Sequence, residues 1–361
     1  MRVHALEYLE ETAARLPEKT FLVDDSGIRT FGRVREEARF LAAALVAAGA
    51  RPGRPVAILV PRGSDAVVAF LASLYAGGFY VPLDPKAPAA RTRRIVASLG
   101  DAVVVSTPGL DGLAAEVAGS RPVVSVDEAG RGATAPELTE LDARMARTID
   151  TDPIYTMFTS GSTGTPKGVV IPHRGVLDYV DWVVDTFSVD ERTVIGAQAP
   201  LFFDNSTLDL WAAIASGATL VLIPDALFSF PVRLLEHLAE KRVTLVFWVP
   251  SVLTHVASAG VLSRVPLPDL RDVLFAGEVL PTRVLNHWRD HLPGARFANL
   301  YGPTEITVDC TFWVVDRELS DDEPIPIGLP CRNTDVLVLS DEGRRADDGE
   351  VGELCVRGSS L

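Results

Sequence analysis

Between residues 157 and 173 the chain reads MFTSGSTGTPKGVVIPH. Eight of the ten residues from Thr159 to Gly168 are Thr, Ser or Gly, and the run closes on Pro166, Lys167 and Gly168. Such residues sustain neither a stable helix nor an ordinary strand. They do let consecutive backbone N–H groups point into one hollow, with hydroxyls as further donors. Lys167 adds a charge that neutralises phosphate. This is the chemistry of a triphosphate cradle. It is not a Walker A loop, because Lys167 is followed by Gly168 rather than Ser or Thr. A flexible Ser/Gly linker is the bland alternative. It fits poorly, since the apolar segments PIYTMFTS and GVVIPH on either side imply an ordered, buried setting.

Two further stretches hold residues of chemical interest. In FDNS, Asp204 either caps the helix pattern that starts at 205 or meets a cation in a pocket, where an unpaired carboxylate is costly. In NLYGPTE, Tyr301 and Glu305 taken singly are an ordinary core aromatic and a surface acid. Cys310, Cys331 and Cys355 have no metal-ligand spacing and sit on apolar segments. They read as reduced structural cysteines of a cytoplasmic protein.

The elements that must position these residues alternate. Helix patterns cover 34–48, 65–76, 88–98, 206–216, 231–240, 251–259 and 281–290, and the N-terminus is amphipathic and acidic. Short apolar strand patterns begin at 55, 79, 101, 219, 243, 272 and 296. Apolar strands with helices between them imply mostly parallel sheets covered on both faces. The pattern occurs before and after the loop, which gives an α/β fold of two lobes with the loop near their junction. The two-lobed core is assigned to 1–312. From 313 to 361 two apolar strands around an acidic turn suggest the start of a small β unit. The Pro/Gly-rich stretch 107–140 reads as poorly ordered surface loop. A net charge of −14 over 361 residues argues against nucleic acid as a partner, and the most apolar stretch, 65–84, is broken by Gly77 and Gly78 rather than spanning a membrane.

With these residues in view, FTSGSTGTPKGV resembles the phosphate-binding signature of the adenylate-forming superfamily, which includes acyl-CoA synthetases, luciferases and the amino-acid adenylation domains of nonribosomal peptide synthetases. LYAGGFYVPLDP (74–85), FDNSTLDLW (203–211), NLYGPTEITV (299–308) and GELCVRG (352–358) are similar to four more of its motifs, in the expected order. IPIGLPCRNT (325–334) fits the segment before the last of them. The resemblance covers essentially the whole chain. It implies the reaction of a carboxylate with ATP to give an acyl-adenylate and pyrophosphate, with Mg²⁺ as the metal.

Carried over by motif, the resemblance assigns Thr159, Ser160, Gly161, Ser162, Thr163, Gly164, Thr165 and Lys167 to the phosphates, with Thr163 and Lys167 catalytic. It places Tyr301 against adenine, Asn299 at the adenine amino group, Gly302 in the same turn, and Thr304 at the α-phosphate. Glu305 is the Mg²⁺ ligand and the third catalytic residue, and Gly277 and Glu278 are backbone neighbours of the nucleotide. Asp204 resembles the aspartate that holds the α-ammonium group in amino-acid-activating members. The implied side-chain pocket is Asp204, Asn205, Leu208, Phe247, Leu274, Ala276, Leu300, Val308 and Asp309. Six of these nine are apolar, so the side chain accepted is small to medium and largely apolar. The order is similar to pockets of proline-activating enzymes and departs from them at Asn205 and Asp309, where the extra acid suits a hydroxyl or a second amine. Proline or a modified cyclic amino acid is the expected substrate, loaded onto the phosphopantetheine thiol of a carrier protein.

An acyl- or aryl-acid CoA ligase, with Asp204 only a cap, and a catalytically silent homologue are the rival readings. The family continues with a Tyr-x-Thr-Gly-Asp motif and a lid of roughly a hundred residues, the size of a small domain, carrying a further lysine. None of these lies in the 361 residues, so the chain is expected to be the large N-terminal core of a longer enzyme and a poor catalyst alone. Its start directly before a helical segment favours a stand-alone parent over a synthetase module, and a monomer is the family default.

Overall fold

The computed structural model describes residues 2–159 and 166–361. Two large sheets and a hairpin make up the strands. The smaller large sheet has six strands in the order Val123–Ser125, Val103–Ser106, Pro55–Leu59, Phe79–Pro82, Pro153–Thr159, Lys167–Pro172. Its pairings are parallel except the last. The other sheet has nine strands, in the order Leu329–Pro330, Thr311–Val314, Arg296–Tyr301, Asp272–Phe275, Leu245–Trp248, Val194–Ala197, Thr219–Leu222, Thr20–Asp24, Gly27–Thr30. It is parallel in the middle and antiparallel at both edges. Thr334–Leu339 and Glu353–Gly358 form a separate antiparallel hairpin.

The seven strand patterns and seven helix patterns read from the sequence all correspond to elements, with ends shifted by a few residues. Three features depart from the reading. Thr20–Asp24 and Gly27–Thr30 come first in the chain but extend the nine-stranded sheet beside Thr219–Leu222, so the lobes are not divided simply at the loop. Buried Phe21 and Leu22 decide this, because a strand pairs where its apolar face is covered, whatever its distance along the chain. The stretch 107–140 is not a disordered loop. It holds the helix Asp111–Ala118, the strand Val123–Ser125 and the start of the helix Ala135–Met145. The last begins with a reciprocal Thr134–Glu137 capping box, and buried Ala114, Val117, Val124 and Leu141 anchor the segment. Finally, the helix His173–Phe187 was not among the helix patterns. Its many valines are poor helix formers, overridden here by burial of one face.

The helices Ser64–Tyr75 and Ser206–Ser216 are buried almost all round, as helices between two sheets must be. Trp211 of the second donates its indole N–H to the Tyr80 hydroxyl at 3.2 Å, tying it to the six-stranded sheet. One hydrophobic cluster takes in Val56, Ile58 and Tyr155 of one sheet and Leu220, Leu245 and Leu274 of the other. The lobes therefore share a core.

Candidate active site

The strands Pro153–Thr159 and Lys167–Pro172 pair antiparallel, with Thr159 opposite Lys167, and Lys167 is exposed. The assignments at Ser160, Gly161, Ser162, Thr163, Gly164 and Thr165 lie outside the described residues.

The nucleotide motif begins on the strand Arg296–Tyr301 and continues into a one-turn helix, Thr304–Ile306. The Tyr301 ring is 42% exposed, unusual for an aromatic at a sheet end, and so is free to stack. Asn299 Nδ2 donates to the Pro326 carbonyl at 2.8 Å, which fixes the amide and turns its oxygen into the free acceptor. Glycine at 302 is a steric requirement: a Cβ there would lie 2.4 Å from the Val308 carbonyl oxygen. The chain folds back on itself at this point, with Cys310 N donating to Tyr301 O at 2.8 Å. The reversal uses Thr307 at φ 62° and Val308 at φ 75°, left-handed conformations that β-branched residues adopt at a cost of roughly 1–3 kcal/mol each. Its effect is to leave Glu305 exposed while Val308 and Asp309 are buried. Gly277 is also left-handed, at φ 91°. The Glu278 carboxylate accepts from Ser251 N at 2.9 Å at the start of the helix Pro250–Ser258.

Asp204 lies in the connection between Val194–Ala197 and the helix Ser206–Ser216. The N-cap position of that helix is Asn205, and no side chain caps it. The capping role open to Asp204 in the sequence is therefore not the one it performs. Burial raises the pKa of its carboxyl, with hydrogen bonds from the Thr304 hydroxyl and the Asn205 N–H pulling the other way and the Glu305 carboxylate raising it further. Asp204 therefore lies beside Thr304 and near Glu305.

Three of the apolar residues expected to line the side-chain pocket, Phe247, Leu274 and Leu300, sit on adjacent strands. Phe247 pairs with Leu274, and Leu274 with Ala298, so alternate residues of neighbouring strands share a face. Leu208, Phe247, Leu274, Ala276, Leu300 and Val308 are all buried in the same cluster, whereas Trp248 and Phe275 point to the other face of the sheet. Asn205 is half-buried beside them in sequence. Asp309 is buried and accepts the Tyr179 hydroxyl at 2.6 Å. Burial pushes the Asp309 carboxyl up to about 7, the Tyr179 hydrogen bond opposing and the Asp204 carboxylate adding to the rise. Cys310 and Cys331 are buried close by, and the carboxylate contributes to the raised pKa of both thiols. Sequence reasoning missed Tyr179 altogether; it carries no local signal beyond being an aromatic on a helix.

Among the described residues, no helix is long and apolar enough to cross a membrane, and no cluster of three or more His, Cys, Asp or Glu is placed to hold a metal. All three cysteines are free.

Residues 9–361 match the AMP-binding enzyme family, and the chain belongs to it. It is 32% identical over 358 residues to an L-proline–[L-prolyl-carrier protein] ligase of Pseudomonas fluorescens, covering 98% of this chain and 72% of that protein. Tyrocidine synthase 1 of Brevibacillus parabrevis is 29% identical over 364 residues, 99% of this chain but only 32% of the synthase. Among solved structures, a serine-to-alanine variant of the nonribosomal peptide synthetase FmoA3 with α-methyl-L-serine-AMP bound superposes with a TM-score of 0.89 at 28% identity, over 99% of this chain and 39% of that one. The α/β architecture is thus that of adenylation domains, and the chain spans about a third of tyrocidine synthase 1 and 39% of the FmoA3 chain.

Proposed function

We propose that the polypeptide to which this chain belongs activates an amino acid with ATP, releasing pyrophosphate, and passes the aminoacyl group to the phosphopantetheine thiol of a carrier protein. The observation that carries the reading is Asp204: a half-buried carboxylate beside Thr304 and Glu305 that caps no helix. An α-ammonium group supplies the cation that such a carboxylate needs. The substrate carboxylate then faces the α-phosphate at Thr304.

On this reading Tyr301 stacks on adenine, the Asn299 oxygen accepts from its amino group, and Lys167 balances phosphate charge with Thr163 and the rest of the loop. The donor set near the phosphates fits Mg²⁺, which takes one or two carboxylates plus phosphate oxygens rather than a protein cage; Glu305, an exposed hard oxygen ligand, would hold it. Bound there, the ion would supply positive charge against the phosphates. The six apolar walls support proline or a small cyclic amino acid, as does the likeness to proline-carrier ligases. Asp309 favours a second version of that substrate, one bearing a hydroxyl or amine on the ring. The core 1–312, the β unit from 313 and a lid beyond this chain would work together, as a monomer.

Amino-acid-dependent exchange of labelled pyrophosphate into ATP by the full-length parent tests this. Proline or a ring-substituted analogue should dominate a panel including serine and alanine. Asp204→Ala should lower kcat/KM for the amino acid by about 100-fold or more, since it strips a buried ammonium of its partner. Exchange supported only by acids without an α-amino group would hand the protein to the CoA-ligase reading.

A further inference from the structure

Arg62 stands where the two sheets meet. It follows the strand Pro55–Leu59 of the six-stranded sheet, and its side chain crosses to the nine-stranded one. Nη2 donates to the Ala197 carbonyl at 2.7 Å, Nη1 to that of Ile223 at 2.5 Å, and Nε to that of Ala199 at 3.2 Å. These carbonyls lie at or just past the carboxyl ends of the neighbouring parallel strands Val194–Ala197 and Thr219–Leu222, where Ala197 O also accepts from Ile223 N at 3.4 Å.

The guanidinium is only 11% exposed. Burial lowers its pKa, and the carboxylates of Asp225 and Asp209 pull it back. Asp225 lies 3.7 Å away and also holds Lys86. Asp209 is fully buried on the helix that follows Asp204, and neither of its oxygens has a hydrogen-bond partner among the described residues. Its remaining compensation is the charge of Arg62, which opposes the rise that burial imposes on its carboxyl.

A planar fork of donors can reach three carbonyls at once; an ammonium, a point charge on a flexible stem, cannot hold the same three in place. One of them, Ala199, lies in the connection 198–205 that carries Asp204. We propose that Arg62 is a positioning residue: it pins the start of this connection, so that amino-acid recognition in one lobe depends on a side chain of the other. The proposal rests on the role given to Asp204 above. The nucleotide residues on Arg296–Tyr301 and the turn after it receive no bond from Arg62 and should not depend on it.

The test is Arg62→Lys in the full-length parent, followed by hydrogen–deuterium exchange, melting temperature and the kinetics of pyrophosphate exchange. The lysine keeps the charge and loses the fork. Amides of 198–205 should exchange about tenfold faster while the strand Arg296–Tyr301 keeps its protection. KM for the amino acid should rise about tenfold, with KM for ATP moving less than about threefold. Unchanged exchange at 198–205 overturns the pinning. Faster exchange with both KM values rising together, or with kcat alone falling, overturns the link to recognition and leaves Arg62 a general support. If the wild-type parent shows no amino-acid-dependent exchange, the adenylation reading fails and the hydrogen-exchange arm alone decides on Arg62. Should Arg62→Lys not fold, Arg62→Gln, with one amide donor group, takes its place in the same measurements.

Discussion

The Tyr179 hydroxyl donates to Asp309 at 2.6 Å, joining the helix His173–Phe187 to the residue that follows the left-handed Val308. Both groups are buried. An acid in this position is an acceptor when ionised and a donor when protonated, and burial holds its pKa at about 7. In the side-chain pocket proposed above, this pair would form a polar floor among apolar residues, its charge changing near neutral pH.

Asp309→Asn follows from that shift. The folded pKa lies above the ordinary value of 3.8. The contribution of the protonated form to stability is therefore fully present below pH 4 and is lost as pH rises through 7. The asparagine keeps an acceptor for Tyr179 and removes the titration. It should be more stable than the wild type at pH 8, by an amount on the order of 1–2 kcal/mol in chemical denaturation, and the gain should shrink at pH 5. Equal differences at both pH values would show that Asp309 is not titrating in the fold.

Tyr179→Phe removes the one hydrogen bond that lowers the Asp309 pKa. The pH at which KM for the amino acid changes should move upward in the variant, while KM for ATP keeps its wild-type profile. An unshifted amino-acid profile would separate Tyr179 from the pocket.

Gly302→Ala tests the fold-back between the nucleotide motif and the pocket. The added Cβ meets backbone, the Val308 carbonyl oxygen at 2.4 Å and the Asp309 Cα at 2.6 Å, so no side chain can swing aside. A loss of about 2–4 kcal/mol is expected in chemical denaturation. A variant as stable as the wild type would mean that this turn is loosely held.

His173 links the N-terminal segment to the hairpin. Its Nδ1 accepts from Ala5 N at 3.2 Å, and burial, with His4 nearby, lowers its pKa to about 3. The neutral ring's contribution to stability is whole above its ordinary value of 6.5 and declines as pH falls from there toward 3. Melting temperature should drop between pH 7 and pH 4, and His173→Gln should flatten part of that slope. An identical slope in the variant would assign acid sensitivity elsewhere.

Much of this molecule is legible without coordinates. The strand at 272–275 and the helix at 206–216 announce themselves because apolar periodicity and turn residues are local properties. The composition of Thr159 to Gly168 and the contiguity of Asn299 to Glu305 are what single these stretches out in the sequence. The stretch 107–140 hid two helices and a strand because small residues and prolines look like loop when nothing shows what they pack against.

Sequence alone determined the α/β class and the residue types proposed for the site. The tertiary structure decided which of them meet. Asp204 comes beside Thr304 and Asp309 beside Tyr179 because sheet order and strand register fix which distant side chains share a face. The first strand of the chain crosses to the second sheet, and Arg62 bridges both, for the same reason. Pairing between remote segments depends on burying complementary faces and satisfying stranded carbonyls, and those quantities exist only once the chain has closed on itself.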